Sequence, residues 1–509
     1  MRKKTRLKIL SVLLSAAIGT TLLPADLPAA SSRFAESAET RENQQNNMLK
    51  IWFDEPVSEG TKRPNMQGVM GTQPVDDIWQ QLTLPIGNSR MGATIYGEVA
   101  QEHLTFNQKT LWNGGPSSKR PNYKGGNKEN MVGIYQKIVD LFLEGEDTEA
   151  SKLCDSLIGE EDGYGSYQSW GDIYLDFDGL TASTAKTNYH RGLDLTTAMA
   201  NVDFTANGTD YHREYFISYP DNVLAMKLTA NGSGKLGLDV TFLVDNGESY
   251  EAEENLANGF GKENVTYTVN AADKSIVMSG QMQDNQMKMN SMLKVVTTGT
   301  VTKNGDNQSL HIADANEAVI FISADTDYKN EYPNYRTGET KEALAASVAK
   351  TVTDAVEKGY DEVKRRHLED YKSLFDRVQL DLGQAETNKT TDALLTAYNA
   401  AGSGAATETE RRLLETILYQ YGRYLTIASS REGDLPANLQ GVWQNRAGSH
   451  NRVSWGCDYH MNVNLQMNYW PTYSANLAEC ATPLIDYVDS LREPGRVTAE
   501  KYYGIKSED

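Results

Sequence analysis

Between Leu435 and Pro471 the chain reads LPANLQGVWQNRAGSHNRVSWGCDYHMNVNLQMNYWP. Asn438, Gln440, Trp443, Trp455, Asp458, His460, Asn462, Asn464, Gln466, Asn468 and Trp470 all fall in these 37 residues. Carboxamides both donate and accept hydrogen bonds, and indoles cover flat apolar surface, so the segment suits a neutral polyol ligand. Asn462 and Asn464 are two apart. On extended backbone both face one side together with His460. Inside a helix they diverge by about 200° and cannot act as a pair. Which of these holds depends on where the next helix starts. Taken singly, each Asn also suits a cap or a turn.

A second segment, Leu84 to Pro116, carries Asn88, Asn107, Gln108, Trp112 and Asn113 among the turn-forming Gly87, Gly92 and Gly114-Gly115-Pro116. It reads either as a hairpin with turn residues or as one wall of a site.

Other chemistries have little support. There is no P-loop, dinucleotide fingerprint, H-E-x-x-H or G-x-S-x-G. The seven His show no metal-ligand spacing, and no metal or cofactor is expected. Cys154, Cys457 and Cys480 do not form a C-x-x-C pair or a disulfide framework. A formal net charge of −20 argues against nucleic acid and anionic membranes as partners.

These residues need elements to hold them. Residues 1–30 read as a signal peptide: Arg2, Lys3, Lys4, Arg6 and Lys8 precede an apolar stretch from Ile9 to Leu23, followed by Ala25, Ala29 and Ala30. The product is therefore expected to be secreted or at the cell surface, with no stable membrane insertion after cleavage. Residues 31–48 form a polar, flexible lead-in. From 49 to 330 many short alternating runs, such as Leu224-Met226-Leu228 and Leu236-Leu238-Val240-Phe242, predict a large β sandwich with turns at Asn207-Gly208 and Asn231-Gly232. One helical insertion carries Ile134, Ile138, Leu141 and Phe142. From about 331 to 385 the period shifts to that of helices, with Leu344, Val348, Val352 and Val356 on one face and Gly359 as a break. From 386 to 509 helices alternate with polar, aromatic-bearing loops, either as an α/α barrel or as another helical array.

The motifs resemble those of glycoside hydrolase family 95. Leu84–Ala93 and Phe106–Pro116 are similar to L-P-I-G-N-G-R-L-G-A and L-N-E-x-T-L-W-x-G-G-P, with Ser89 for the usual Gly and Gln108 for the usual acidic residue. Tyr167–Leu175 resembles Y-Q-x-L-G-D-L-x-L. Leu435–Trp443 and Asp458–Pro471 resemble L-P-A-N-L-Q-G-x-W and D-Y-H-x-N-x-N-L-Q-M-N-Y-W-P. The resemblance implies a multidomain protein: an N-terminal β-supersandwich, a helical linker and an (α/α)6 barrel, of which this chain holds the first part. It implies hydrolysis of terminal α-L-fucosyl residues with inversion, commonly at Fucα1–2Gal ends of oligosaccharides. Asn462 and Asn464 would then hold the attacking water as the catalytic pair. His460 would contact the sugar, and Asp458, Trp455, Gln440, Trp443, Asn88 and Trp112 would complete the substrate-binding set. The general acid Glu and a supporting Asp are expected beyond Asp509, leaving this 509-residue chain inactive by itself. The alternatives are an α-L-galactosidase of the same family and a non-catalytic carbohydrate-binding protein.

Overall fold

The computed structural model describes residues 48–57, 77–121, 123, 125–159, 163–232, 235–244, 262–444 and 457–506. The expected signal peptide, most of the lead-in and Trp455 lie outside these residues.

Two antiparallel sheets make up the first part. The nine-stranded sheet runs β1 (Lys50–Phe53), β6 (Lys186–Asp194), β7 (Met199–Ala206), β8 (Thr209–Ser218), β9 (Val223–Gly232), β16 (Glu317–Thr326), β13 (Lys288–Thr297), β12 (Ser275–Met282), β11 (Lys262–Asn270). The seven-stranded sheet runs β14 (Thr300–Lys303), β15 (Ser309–Ala315), β10 (Leu236–Val244), β5 (Gly171–Phe177), β4 (Gln101–Gln108), β3 (Met91–Ile95), β2 (Leu84–Gly87). Alternation along β10 buries Leu236, Leu238, Val240 and Phe242 against residues of the facing sheet such as Leu228 and Ile320.

The turn between β7 and β8 is Asn207-Gly208, both with positive φ, which matches the right-handed twist of the flanking strands. Asn231-Gly232 differs from expectation. It continues β9, paired with Asp210 and Thr209, rather than turning the chain.

Strand β9 is buried on both faces, with Leu224, Ala225 and Met226 all at 0% exposure. The reason is helix α4 (Lys341–Lys358), numbered after α1 (Asp77–Leu82), α2 (Met131–Glu144) and α3 (Asp147–Cys154). Val348, Val352 and Ala355 of α4 pack on Phe216, Ala225, Val319 and Phe321, on the sheet face turned away from the sandwich core. Thr340 caps α4 by accepting the Ala343 N–H at 3.2 Å. Gly359, at φ 79°, ends it and turns the chain into α5 (Tyr360–Phe375). Helix α2 is the exception to its own apolar pattern: only Ile138 is buried, and Phe142 and Leu143 are exposed.

The second part is helical: α6 (Thr391–Asn399), α7 (Glu408–Ser429), α8 (Asn464–Tyr469), α9 (Pro471–Ser474), α10 (Thr482–Ser490) and α11 (Arg492–Tyr503). Thr407 and Glu410 form a reciprocal capping box at the start of α7. Pro471 does not simply stop α8; it opens α9 at the first helical position. Among the described residues no helix is long and apolar enough to cross a membrane.

Candidate active site

The β2–β3 hairpin presses against the helical part. A Cβ on Gly87 would stand 2.7 Å from the Ala428 carbonyl, and one on Gly92 would stand 2.8 Å from Val442 Cγ1. Glycine is needed at both places for this close approach. The Trp443 indole lies over the same two glycines and donates to the Ile86 carbonyl at 2.8 Å. Asn88 closes the hairpin loop. Its Oδ1 accepts from the N–H groups of Arg90 (3.1 Å) and Met91 (2.7 Å), and its Nδ2 donates to the Ser218 carbonyl (2.9 Å). Asn88 and Trp443 therefore differ from the expectation that they line the site. Their polar atoms are used to hold the hairpin, and both residues are buried.

Lys109, fully buried, crosses the same boundary. Its Nζ reaches Ser89 Oγ (3.2 Å), the Leu435 carbonyl (3.0 Å) and the Ser429 carbonyl. Burial pushes this amine down to about 7. The two carbonyls take N–H donors from Nζ, and the Ser89 hydroxyl can accept from the ammonium or donate to the neutral amine. Ser89, at φ 79°, also accepts the Arg431 N–H at 3.0 Å. The Ser89 hydroxyl thus has one partner on its own side, Lys109, and one across the boundary, Arg431.

Trp112 is held by its surroundings. Its Nε1 donates to the Lys109 carbonyl (2.8 Å), and its own carbonyl accepts from Asn285 Nδ2 (2.9 Å). The Gly114 N–H donates to Asp284, which also takes a bidentate pair from Arg120 at 2.7 Å. The Trp112 ring stacks on Tyr459 at 5.4 Å, and Tyr459 meets Tyr487 at 4.9 Å. An aromatic column thereby runs from the β sandwich into the helical part.

Asp458 sits at the end of that column. One carboxylate oxygen contacts His460 Nδ1, and the other accepts from the Tyr164 hydroxyl. Burial and this hydrogen bond push the Tyr164 phenol up to about 12. Sequence reading missed Tyr164. It lies 294 positions from Asp458 in a Gly-Tyr-Gly context that signals only a turn.

Helix α8 starts at Asn464, and Met461–Val463 form the turn before it. The outcome lies between the two expected arrangements: Asn462 is exposed in the turn and Asn464 is half-buried at the first helical position. Neither carboxamide hydrogen-bonds a described residue. The Leu465 N–H donates to the His460 carbonyl at 3.0 Å, which folds His460 back toward the helix start. Gln440 lies in a tight turn closed by paired Asn438–Gly441 backbone bonds. Its Oε1, with Asn438 Nδ2, Asn107 Nδ2 and Gln444 Oε1, is buried without a hydrogen-bond partner among the described residues. Each such group raises the cost of folding unless something occupies it. Among the described residues no group of three His, Cys, Asp or Glu could hold a metal ion.

Two adjoining hollows open where the sandwich meets α10. One, of about 270 Å³, is lined by Trp112, Tyr335, Arg336, Tyr459 and Tyr487. The other, of about 410 Å³, is lined by Arg90, Asp325, Asp434 and Asp486. They share Tyr328, Asn330, Leu435, Tyr487 and Ser490.

The β sandwich and the helical part behind it each match a glycoside hydrolase domain. A family profile described as glycosyl hydrolase family 65, N-terminal domain, covers residues 51–331. Another, glycosyl hydrolase family 95 catalytic domain, covers 359–508. From residue 359 onward the chain is thus similar to the catalytic domain of glycoside hydrolase family 95. Alpha-L-fucosidase 2 of Arabidopsis thaliana is 33% identical over 432 residues, covering 83% of this chain and 48% of its own. The Aspergillus niger protein named Probable alpha-fucosidase A is 31% identical over 430 residues, covering 82% and 50%. The chain thus spans about half the length of the curated relatives it matches. Among solved structures, a bacterial glucoamylase complexed with acarbose aligns over 88% of this chain and 54% of its own at TM-score 0.38 and 9% identity, too low to bear on function.

Proposed function

We propose that this chain supplies part of the active site of a secreted, inverting α-L-fucosidase acting on terminal fucosyl residues α1–2-linked to galactose in neutral oligosaccharides. The observation that carries the reading is the Asp458–His460 contact immediately before the Asn462/Asn464 pair, inside the segment matched to the family 95 catalytic domain.

Inversion needs an acid on the leaving oxygen and a water activated on the opposite ring face, with about 6.5–9.5 Å between the two groups to admit that water. A carboxamide is too weak a base to take the proton itself. Asn462 and Asn464 would fix the water's lone pairs toward the anomeric carbon, while a carboxylate behind them draws off the proton. Holding the water in place contributes by orientation rather than by basicity. Asp458 fixes the imidazole through Nδ1, and His460 Nε2 is assigned to a sugar hydroxyl, with Gln440 and Trp455 as further sugar contacts. The general acid Glu and the supporting Asp belong to the region beyond residue 509, so the 509-residue chain alone is expected to release no fucose. Residues 1–30 are assigned to export, with cleavage anywhere from about Ala25 to Ala38.

The test uses the product of the whole reading frame that contains this chain. Incubated with 2′-fucosyllactose and followed by NMR, it should release β-L-fucose first, because inversion of an α-linkage yields the β anomer. No fucose above a blank, or the α anomer first, overturns the reading.

A further inference from the structure

Between β4 and β5 the chain leaves the sandwich, forms α2 and α3, and returns. The outgoing and returning legs pair at the base of this excursion. Trp112 bridges Tyr167, the Asn113 N–H donates to the Ser166 carbonyl at 3.2 Å, and the Gly115 N–H donates to the Gly163 carbonyl at 2.7 Å. Asn113 Oδ1 also accepts the Ser166 N–H at 2.6 Å. The legs come too close for side chains between them. A Cβ on Gly114 would stand 2.5 Å from Gly165 Cα, and one on Gly165 would stand 2.4 Å from the Asn113 carbonyl oxygen. The backbone on both sides of Tyr164 is thus fixed to the opposite leg.

Tyr164 itself is 70% exposed, so apolar burial does not account for its place. Its hydroxyl donates to one oxygen of Asp458, while the other oxygen of the same carboxylate meets His460 Nδ1. The outgoing leg reaches the adjacent residue, with Trp112 stacked on Tyr459 at 5.4 Å. The paired legs therefore grip two consecutive residues, Asp458 and Tyr459, just before His460. A carboxylate only accepts hydrogen bonds, so the Asp458 contact puts the proton of the neutral imidazole on Nδ1 and makes Nε2 an acceptor. With its second oxygen on Tyr164, the carboxylate cannot turn away from the ring without breaking another hydrogen bond. The phenol, pushed up to about 12, keeps its proton through the neutral range and stays a donor.

We propose that Tyr164 is a positioning residue: from the β side of the molecule it holds Asp458 in the orientation that sets the His460 tautomer, so that the acceptor nitrogen is the one presented to the sugar. The sugar's part in this rests on the fucosidase reading; the hold on the imidazole does not.

The experiment uses the product of the whole reading frame, with Tyr164→Phe, Asp458→Asn and the two combined. Tyr164→Phe keeps the ring and removes the hydroxyl, and its Tm should match the parent's. Its kcat/KM for 2′-fucosyllactose should fall roughly 5- to 20-fold. Added to Asp458→Asn, the same change should cost less than about twofold, because its route to the sugar is already broken. Nitrogen NMR of isotope-labelled histidine, with His460→Gln to assign the signals, reports the tautomer directly. The parent's His460 should carry its proton on Nδ1, and Tyr164→Phe should shift it toward the Nε2–H form. An unchanged tautomer in Tyr164→Phe, an unchanged kcat/KM, or the full loss repeated in the Asp458→Asn background overturns the proposal. If the parent releases no fucose, the fucosidase reading fails by itself. A His460 tautomer that moves in Tyr164→Phe then still upholds the positioning role, and one that does not move overturns it.

Discussion

Asn88 and Asp458 are both polar residues of motif segments, yet their surroundings give them opposite tasks. Asn88 has its oxygen and its nitrogen engaged within the hairpin and its neighbours, and is 3% exposed. Asn88→Ala should lower stability by about 1–3 kcal/mol in denaturant unfolding, since two buried N–H groups and a carbonyl lose a partner, while KM stays unchanged. Asp458 instead joins a tyrosine of one part to a histidine of the other. Asp458→Asn keeps the volume but weakens the grip on imidazole, and kcat/KM of the whole reading frame's product for a fucoside should fall roughly 10- to 100-fold with little change in unfolding. Sequence alone could not separate the two roles. Spacing shows that an amide or carboxylate is present, but whether its lone pairs are already occupied depends on strands and loops hundreds of residues away.

The elements were more legible. Alternation along β10 and the four-residue period of Leu344, Val348 and Val352 each reflect burial on one face, and one-sided burial leaves a periodic trace. Strand β9 was less so, because α4 covers its second face and Ala225 is buried as fully as its neighbours. Helix α5 was marked by Tyr360, Val363, Tyr371, Leu374 and Phe375, all buried, but the polar contacts that dock it onto the sheet left no trace. There Lys364 and the Tyr360 hydroxyl hold Glu214 at 2.9 Å, and His212 bridges Glu214 and Asp203. Hydrogen bonding to Asp203, then to Glu214, raises His212 to about 9, while His212 and Lys364 lower Glu214 to about 2. The stabilisation from His212 is complete below its unfolded value near 6.5 and is lost as pH rises through about 9. That from Glu214 is complete above about 4.5 and is lost as pH falls through about 2. The denaturation midpoint should therefore plateau between about pH 4.5 and 6.5 and decline toward pH 9.5, with a shallower alkaline decline in His212→Asn. The hairpin contact gives a second check on this scale. Gly92→Ala should cost about 1–3 kcal/mol by overpacking against Val442, read as a lowered Tm.

For the molecule as a whole, the boundary between sandwich and helices is where long-range side-chain contacts concentrate. Lys109, Trp443, Tyr164 and the Trp112–Tyr459 stack all cross it, and each pairs residues about 290 or more positions apart. Family motifs made both sides visible in the sequence without showing that they meet. The central claim is that the Asp458–Asn464 segment performs the water-directing step and that the hairpin does not. The most direct measurement is kcat for 2′-fucosyllactose in Asn462→Ala/Asn464→Ala, set beside Asn88→Ala, using the product of the whole reading frame. The account predicts a loss of about 10²–10⁴-fold in the first and less than about twofold in the second. A double variant that turns over within about twofold of the parent, folded and saturable, would contradict it.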